Sequence, residues 1–262
     1  MLGRVARVLV VCSVASLPCG ALAQAGIDLS GPAMTEAETT RAAVEATLAA
    51  ATPGAPASFE RARLNGLDLG GLDFSGANLR AARLNGASLA GAKLDGAELS
   101  QAWLLGADLE GASLRGATLF GTQLGRANLR GADLAQARLA ADFTDADLTS
   151  ASLRGADFSA DMRNQSMGLM RGVLTGATAD GADFSHARLM RADLAFGSFR
   201  GARFTGADLS MATLGGADLT GADIAGARFD GADVTSARLV ELDGVRPGQM
   251  EAARNLNRAL RQ

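Results

Sequence analysis

Gly86-Ala87-Ser88-Leu89-Ala90, Gly91-Ala92-Lys93-Leu94-Asp95 and Gly96-Ala97-Glu98-Leu99-Ser100 are one five-residue unit written three times. Each copy carries a small residue, a polar or charged residue and a Leu, with Gly at the boundary. A period of five is neither the 3.6 of an amphipathic helix nor the 2 of a two-faced strand. Sustained in phase, it marks a solenoid of short stacked repeats.

Working outward, a Leu or Phe recurs at this spacing from Phe59 to Leu139, which makes seventeen units. The next centre, Phe143, comes one residue early and opens a tract of four that ends at Phe158. The phase breaks over Ser159–Val173 and then holds for fourteen units from Leu174 to Leu239, with Ala179 as a weak centre. The large centre and the Ala two positions before it supply two inward points per unit. The Leu or Phe fills an axis, and the Ala fits where the walls approach. Gly suits corners that call for positive φ.

Ala77-Asn78-Leu79, Ala107-Asp108-Leu109, Ala127-Asn128-Leu129, Ala132-Asp133-Leu134, Ala207-Asp208-Leu209 and Ala217-Asp218-Leu219 are near-perfect copies of A(D/N)LXX. In these units the chain resembles the pentapeptide repeat family over roughly residues 57–243. The resemblance implies an all-β solenoid, a right-handed quadrilateral β-helix with one pentapeptide per side and four per coil. Nearly nine coils at ~4.8 Å each would make a rod roughly 40 Å long. The motif is specific for fold and weak for function, because one scaffold carries many activities.

Residues 1–23 read as a signal peptide: Arg4 and Arg7 precede the apolar run Val8–Leu17, and Ala21-Leu22-Ala23 is a small-x-small cleavage site. The mature chain would start at Gln24 and lie in the periplasm or outside the cell. The rival is an uncleaved anchor, since Val8–Ile27 lacks charge, but Pro18 and Gly20 favour removal. Val11 before Cys12 and Pro18 before Cys19 give no lipoprotein context, so both cysteines leave with the signal. A thiol-free mature chain suits an oxidising compartment. After signal removal no stable membrane insertion is expected.

Residues 24–56 read as one helix over 31–50, capped by Thr35 with Glu38, followed by the linker Thr52-Pro53-Gly54-Ala55-Pro56. Residues 244–262 read as a C-terminal capping helix with Met250, Ala253, Leu256 and Leu260 on one face. Such an element covers an open β edge, and a homodimer through a terminal helix is a possible further use of it.

Catalysis has little material. The chain has one histidine, His186, and no tyrosine. His186 falls at an expected corner without a supporting triad. The regular Gly spacing explains the glycines without a phosphate loop. No enzyme activity, no cofactor and no metal site are expected. Met162, Met167 and Met170 cluster in the second phase break with Met190 nearby. Copper(I) binding is weaker here than methionines packing back on the rod.

Gyrase-protecting members of the family mimic DNA with a strongly acidic surface. Here residues 57–243 hold 23 acids and 18 bases, interleaved. Columns of residues 20 apart read Asp183, Arg203, Asp223 and Arg188, Asp208, Arg228, so signs alternate along them. This pattern erases a uniform negative face, and the net charge disfavours nucleic acid as a partner. Another column, Arg63, Arg83, Trp103, leads to the single tryptophan. Leu105 and Phe120 occupy outward positions close by, and Arg83 is placed to stack on Trp103. Arg83, Trp103, Leu105 and Phe120 are therefore the candidate contacts for a protein partner. The expectation is an exported, non-enzymatic scaffold or protein-binding rod. The alternative is a DNA-mimicking protector or inhibitor of a gyrase-type topoisomerase, which requires a cytoplasmic chain.

Overall fold

A computed structural model describes residues 28–159 and 170–261. The expected signal peptide, residues 1–23, lies outside them, as do Met162 and Met167. Each five-residue unit forms one side of a square coil. Parallel bridges join Ser58 to Asn78, Arg63 to Arg83, Asp68 to Ser88 and Asp73 to Lys93, 20 residues apart, and the pattern repeats upward. Four columns result, named here by their first members: face 1 from Ser58, face 2 from Arg63, face 3 from Asp68 and face 4 from Asp73. Each rung is a single bridge wide because a corner follows at once. At Gly86, for example, φ is 62°, and a turn with positive φ at its third residue favours Gly there. Backbone bonds clamp successive coils: the Leu84 amide donates to the Trp103 carbonyl, and the Trp103 amide donates to the Ala82 carbonyl.

Leu109, Ala107 and their equivalents are fully buried along the axis. Where the centres are Phe, the rings stack: Phe184 and Phe204 are parallel at 5.0 Å, and Phe199 meets both edge-on at 5.9 Å. Gly197 replaces the inward Ala here because a Cβ would stand 2.6 Å from the Phe199 ring.

The aspartates are more than solvent-facing members of a pattern. The Asp108 carboxylate accepts from the Glu110 amide at 3.1 Å, Asp147 from Thr149 at 2.9 Å and Asp218 from Thr220 at 2.9 Å. Each closes a turn two residues on, a use for which Asp and Asn are suited. Burial pushes the carboxyls of Asp133, Asp147, Asp183 and Asp218 up, but their donors outweigh it and hold each below its ordinary value. At Asp147 those donors are Thr149 and Arg130. At Asp233 the Thr235 hydroxyl, followed by the Asn255 amide, lowers the carboxyl further. A depressed folded pKa contributes stability above the unfolded value and loses it as pH falls through the folded one. The melting temperature is expected to stay level between about pH 7 and 5 and to fall below about pH 4; calorimetry across that range checks it.

The ion pairs follow a diagonal that the columns did not announce. A corner arginine reaches the aspartate of the next coil: Arg115–Asp133 at 2.7 Å, Arg130–Asp147 at 3.2 Å, Arg154–Asp183 at 2.9 Å and Arg200–Asp218 at 3.1 Å. Asp183 is thus taken by Arg154 rather than by Arg203. In the other column Arg228 does meet Asp208, at 3.4 Å. Each exposed pair contributes about 0–1 kcal/mol.

Both phase breaks fall at the same corner, between faces 1 and 2. Rung spacing shortens to 19 from Gln123 to Asp142 and lengthens to 31 from Asp142 to Val173. The rungs on either side stay in register, because both changes in length fall between rungs and not within one.

The ends differ from the expectation. The single helix over 31–50 is two pieces, α1 (Pro32–Thr35) and α2 (Arg41–Ala49). The Thr35–Glu38 capping box does not form; Thr40 caps α2 by accepting from the Ala43 amide at 3.3 Å. Glu38 is engaged elsewhere. Its amide donates to the Arg63 carbonyl at 3.0 Å, and its carboxylate accepts from the Arg63 amide at 2.9 Å. Glu38 thereby closes the lower edge of face 2. Arg41 closes that of face 3 through the carbonyls of Asp68 and Gly70, and Val44 is buried against the end of the core.

The C-terminal helix is also absent. Residues 244–261 form turns with one 3-10 segment, Leu256–Arg258. Asp233 bridges Arg254 and Arg238 bridges Leu260, so this stretch is an irregular last coil. Pro247 and Gly248 break helix propagation, and the open rungs below offer ready backbone partners. Met250, Ala253 and Leu256 still pack on the core, whereas Leu260 is 53% exposed.

Candidate functional site: face 2

Face 2 differs from the other three. Its column reads Arg63, Arg83, Trp103, Gln123, Asp142, Val173, Asp193, Thr213, Asp233, and ends at Arg254. Between Trp103 and Val173 the column has one charged member, Asp142, which is occupied by the amide of Thr144 at 2.9 Å. The ion pairs of face 2 lie at the foot and in the upper half: Arg63–Glu38 at 3.0 Å, Arg171–Asp193 at 2.9 Å and Arg254–Asp233 at 3.2 Å.

Arg83 and Trp103 are adjacent rungs. Leu105 lies at the corner leaving this face and Phe120 at the corner entering it one coil up. Trp103, Leu105 and Phe120 are half-buried. The stacking of Arg83 on Trp103 does not form: the Arg83 guanidinium donates instead to the Ala33 carbonyl at 3.0 Å. A charged donor with a carbonyl acceptor at that range gains more than an exposed ring contact.

Two groups of residues on this face were missed. The first is the N-terminal segment with its receivers. Asn65 donates to the carbonyls of Ala33 at 3.2 Å and Glu36 at 3.1 Å, and Asn85 donates to the Met34 carbonyl at 3.1 Å. Their spacing of 20 placed both asparagines in one column, but nothing in it told what they receive. The second group is apolar and exposed: Met190 at 39%, Met211 at 46% and Phe196 at 73%. Met190 and Met211 sit where the chain enters face 2, and Phe196 where it leaves. Met211 and Phe196 have φ of 61° and 58°, a conformation that costs a bulky residue about 1–2 kcal/mol. A Phe where the unit ordinarily ends in Gly was the available signal.

Met170 lies in the described part of the second break. Its terminal methyl rests on the corner beside Phe120, 3.0 Å from where a Cβ on Gly121 would stand. His186 is an exposed corner residue with φ of 59°. Among the described residues, no three His, Cys, Asp or Glu side chains converge as metal ligands. Nor is any helix among them long and apolar enough to cross a membrane. Clefts of about 520 and 740 Å³ open at the two ends of the rod, away from the middle of face 2.

Comparison with known proteins agrees with the geometry. The family model described as pentapeptide repeats matches residues 57–96, 92–131, 120–160, 173–206 and 202–239, with eight copies. HetL is a pentapeptide repeat protein involved in heterocyst differentiation regulation in the cyanobacterium Nostoc sp. strain PCC 7120. It is 31% identical, over 78% of this chain and 86% of its own, with a TM-score of 0.49. Full-length QnrB1, a plasmid-mediated fluoroquinolone resistance protein, is 19% identical over 78% of this chain and 89% of its own, with a TM-score of 0.41. A search of curated proteins gave no match. With its repeats matched from residue 57 to residue 239 and each unit forming one side of a four-faced coil, the chain belongs to the pentapeptide repeat family.

Proposed function

We propose that this protein is an exported, non-enzymatic scaffold that binds a protein partner along face 2, in the periplasm or outside the cell. The observation that carries the reading is the asymmetry of the rod. Face 2 holds ion pairs as the others do, Arg63–Glu38, Arg171–Asp193 and Arg254–Asp233. Among the described residues it also gathers the outward apolar side chains of the repeat, with half-buried Trp103, Leu105 and Phe120 below and exposed Met190, Phe196 and Met211 above. Phe196 and Met211 occupy a strained conformation and lie over the glycine corners one coil up, Phe196 over Gly216 and Met211 over Gly231, yet they leave 73% and 46% of their surface exposed. Export rests on the charge, apolar run and cleavage pattern of residues 1–23.

The alternating Asp and Arg of face 1, with Arg228 on Asp208 and Arg188 on Asp157, speak against a DNA-like acidic surface. Fractionation of the producing cell with N-terminal sequencing separates the readings. A chain beginning at Gln24 outside the cytoplasm is the expected result; an intact Met1 in the cytoplasm would return the topoisomerase alternative to the front. For the face itself, Trp103→Ala should weaken capture of the native partner about ten-fold or more and leave the melting temperature nearly unchanged. Undiminished capture would remove Trp103 from the contact.

A further inference from the structure

We infer that the lower part of face 2 is a peptide-reading surface, filled in cis by this chain's own segment 33–38. It would accept a partner's segment with the same pattern, an apolar side chain followed four residues later by a carboxylate. This deepens the proposal above and rests on face 2 being the contact surface.

The segment is held as a peptide ligand is held. Three of its main-chain carbonyls, those of Ala33, Met34 and Glu36, accept from the side chains of Asn65, Arg83 and Asn85. Main-chain contacts of this kind tolerate many sequences. Selectivity comes from two side chains. Met34 is only 5% exposed. Glu38 gives one carboxylate oxygen to the Arg63 amide at 2.9 Å and the other to the Arg63 guanidinium at 3.0 Å.

The receivers are set in place by the rod. The Asn65 side-chain oxygen accepts from the Asn85 amide at 3.0 Å, and the Asn85 oxygen accepts from the Leu105 amide at 3.0 Å. Each oxygen is committed to the coil above, which turns each NH2 toward the segment. Such preorganisation lowers the entropy cost of binding.

Direction also follows. Ala33 spans Asn65 on the first coil and Arg83 on the second, Met34 meets Asn85 on the second, and Glu36 and Glu38 meet Asn65 and Arg63 on the first, so from Met34 onward the segment descends the face. Trp103 and Leu105 lie on the next rung above Arg83 and Asn85, where a partner longer than the cis segment would gain contacts that the segment does not make. Those contacts would offset the high effective concentration of the tethered segment.

The test uses the full chain and a labelled synthetic peptide of residues 28–40, read by fluorescence anisotropy. Met34→Ala with Glu38→Ala weakens the cis contact. This variant should bind the peptide saturably, and the wild-type chain about ten-fold more weakly or worse, because its own segment competes. Adding Arg83→Ala to the variant should reduce binding about ten-fold. If the double variant does not fold, Glu38→Gln replaces it with the same expectations. Absence of saturable binding to the weakened chain, or binding indifferent to Arg83→Ala, would overturn the inference. A partner released by Trp103→Ala alongside no peptide binding would leave the contact face standing and remove only the peptide-reading claim. Peptide binding without any partner dependent on Trp103 would do the reverse.

Discussion

Leu109→Asp is expected to abolish or severely lower the cooperative thermal transition, while Asp108→Lys, one residue away, shifts it slightly. Leu109 is fully buried on the axis. A carboxylate there finds no partner among the Leu and Ala side chains, and burying an unpaired charge costs several kcal/mol. The loss should be about 4 kcal/mol or more, a large share of a typical domain's stability. The neighbour faces outward. Its carboxylate accepts from the Glu110 amide at 3.1 Å and the Asn128 side chain at 2.9 Å. Losing two solvent-accessible bonds costs about 1–2 kcal/mol. Thermal melts of the two variants check the pair; equal midpoints would refute the assignment of inward and outward positions.

Phe184→Ala should be the most damaging truncation in the upper half of the rod, at about 3–5 kcal/mol. Phe184 is fully buried and touches three other rings: Phe204 at 5.0 Å, Phe199 at 5.9 Å and Phe158 at 6.2 Å. The neighbouring backbones are pinned by rung bonds and cannot collapse into the space. Phe158 is the last centre before the second break, so the lesion also loosens the joint between the two tracts. In a solenoid, stability is a sum of nearest-neighbour terms. Amide exchange should therefore rise first in the coils around Phe158–Phe204, while those near Leu89 keep their protection. Uniform loss along the rod would indicate a single cooperative unit instead.

How far the fold was legible in the chain depends on which residues are asked. The fivefold period, the buried Leu and Ala and the corner at His186 follow from spacing alone; the columns through Arg63, Arg83 and Trp103 also needed the four units per coil that the family resemblance implies. A repeat of fixed length admits one phase, and each unit repeats the same local balance of inward apolar and outward polar groups. The location of both phase breaks followed from the same count. That they share one corner did not, because it depends on four units closing a coil.

The ends of the chain were misread for a related reason. Thr35 and Glu38 satisfy a capping pattern, and Met250, Ala253, Leu256 and Leu260 a helical one. Both are local preferences worth about 1 kcal/mol or less. An open coil edge presents unpaired amides and carbonyls whose satisfaction outweighs them. Glu38 therefore turns to Arg63, and Arg254 and Leu260 continue the rungs.

The same competition governs face 2. Composition identified Trp103, Leu105 and Phe120 as outward residues of the right kind, and the structure leaves them half-buried along one column and its corners. Arg83 could be assigned its rung but not its partner. The Ala33 carbonyl that it binds lies 50 residues away in sequence, and no periodic pattern carries information across that distance. Period, phase and column were properties of the repeated unit, readable wherever the unit recurs. The partners of Glu38, Asn65, Asn85 and Arg83 belong to the non-repeating segment laid across the rod, and only the closed coil brings those groups within hydrogen-bonding reach.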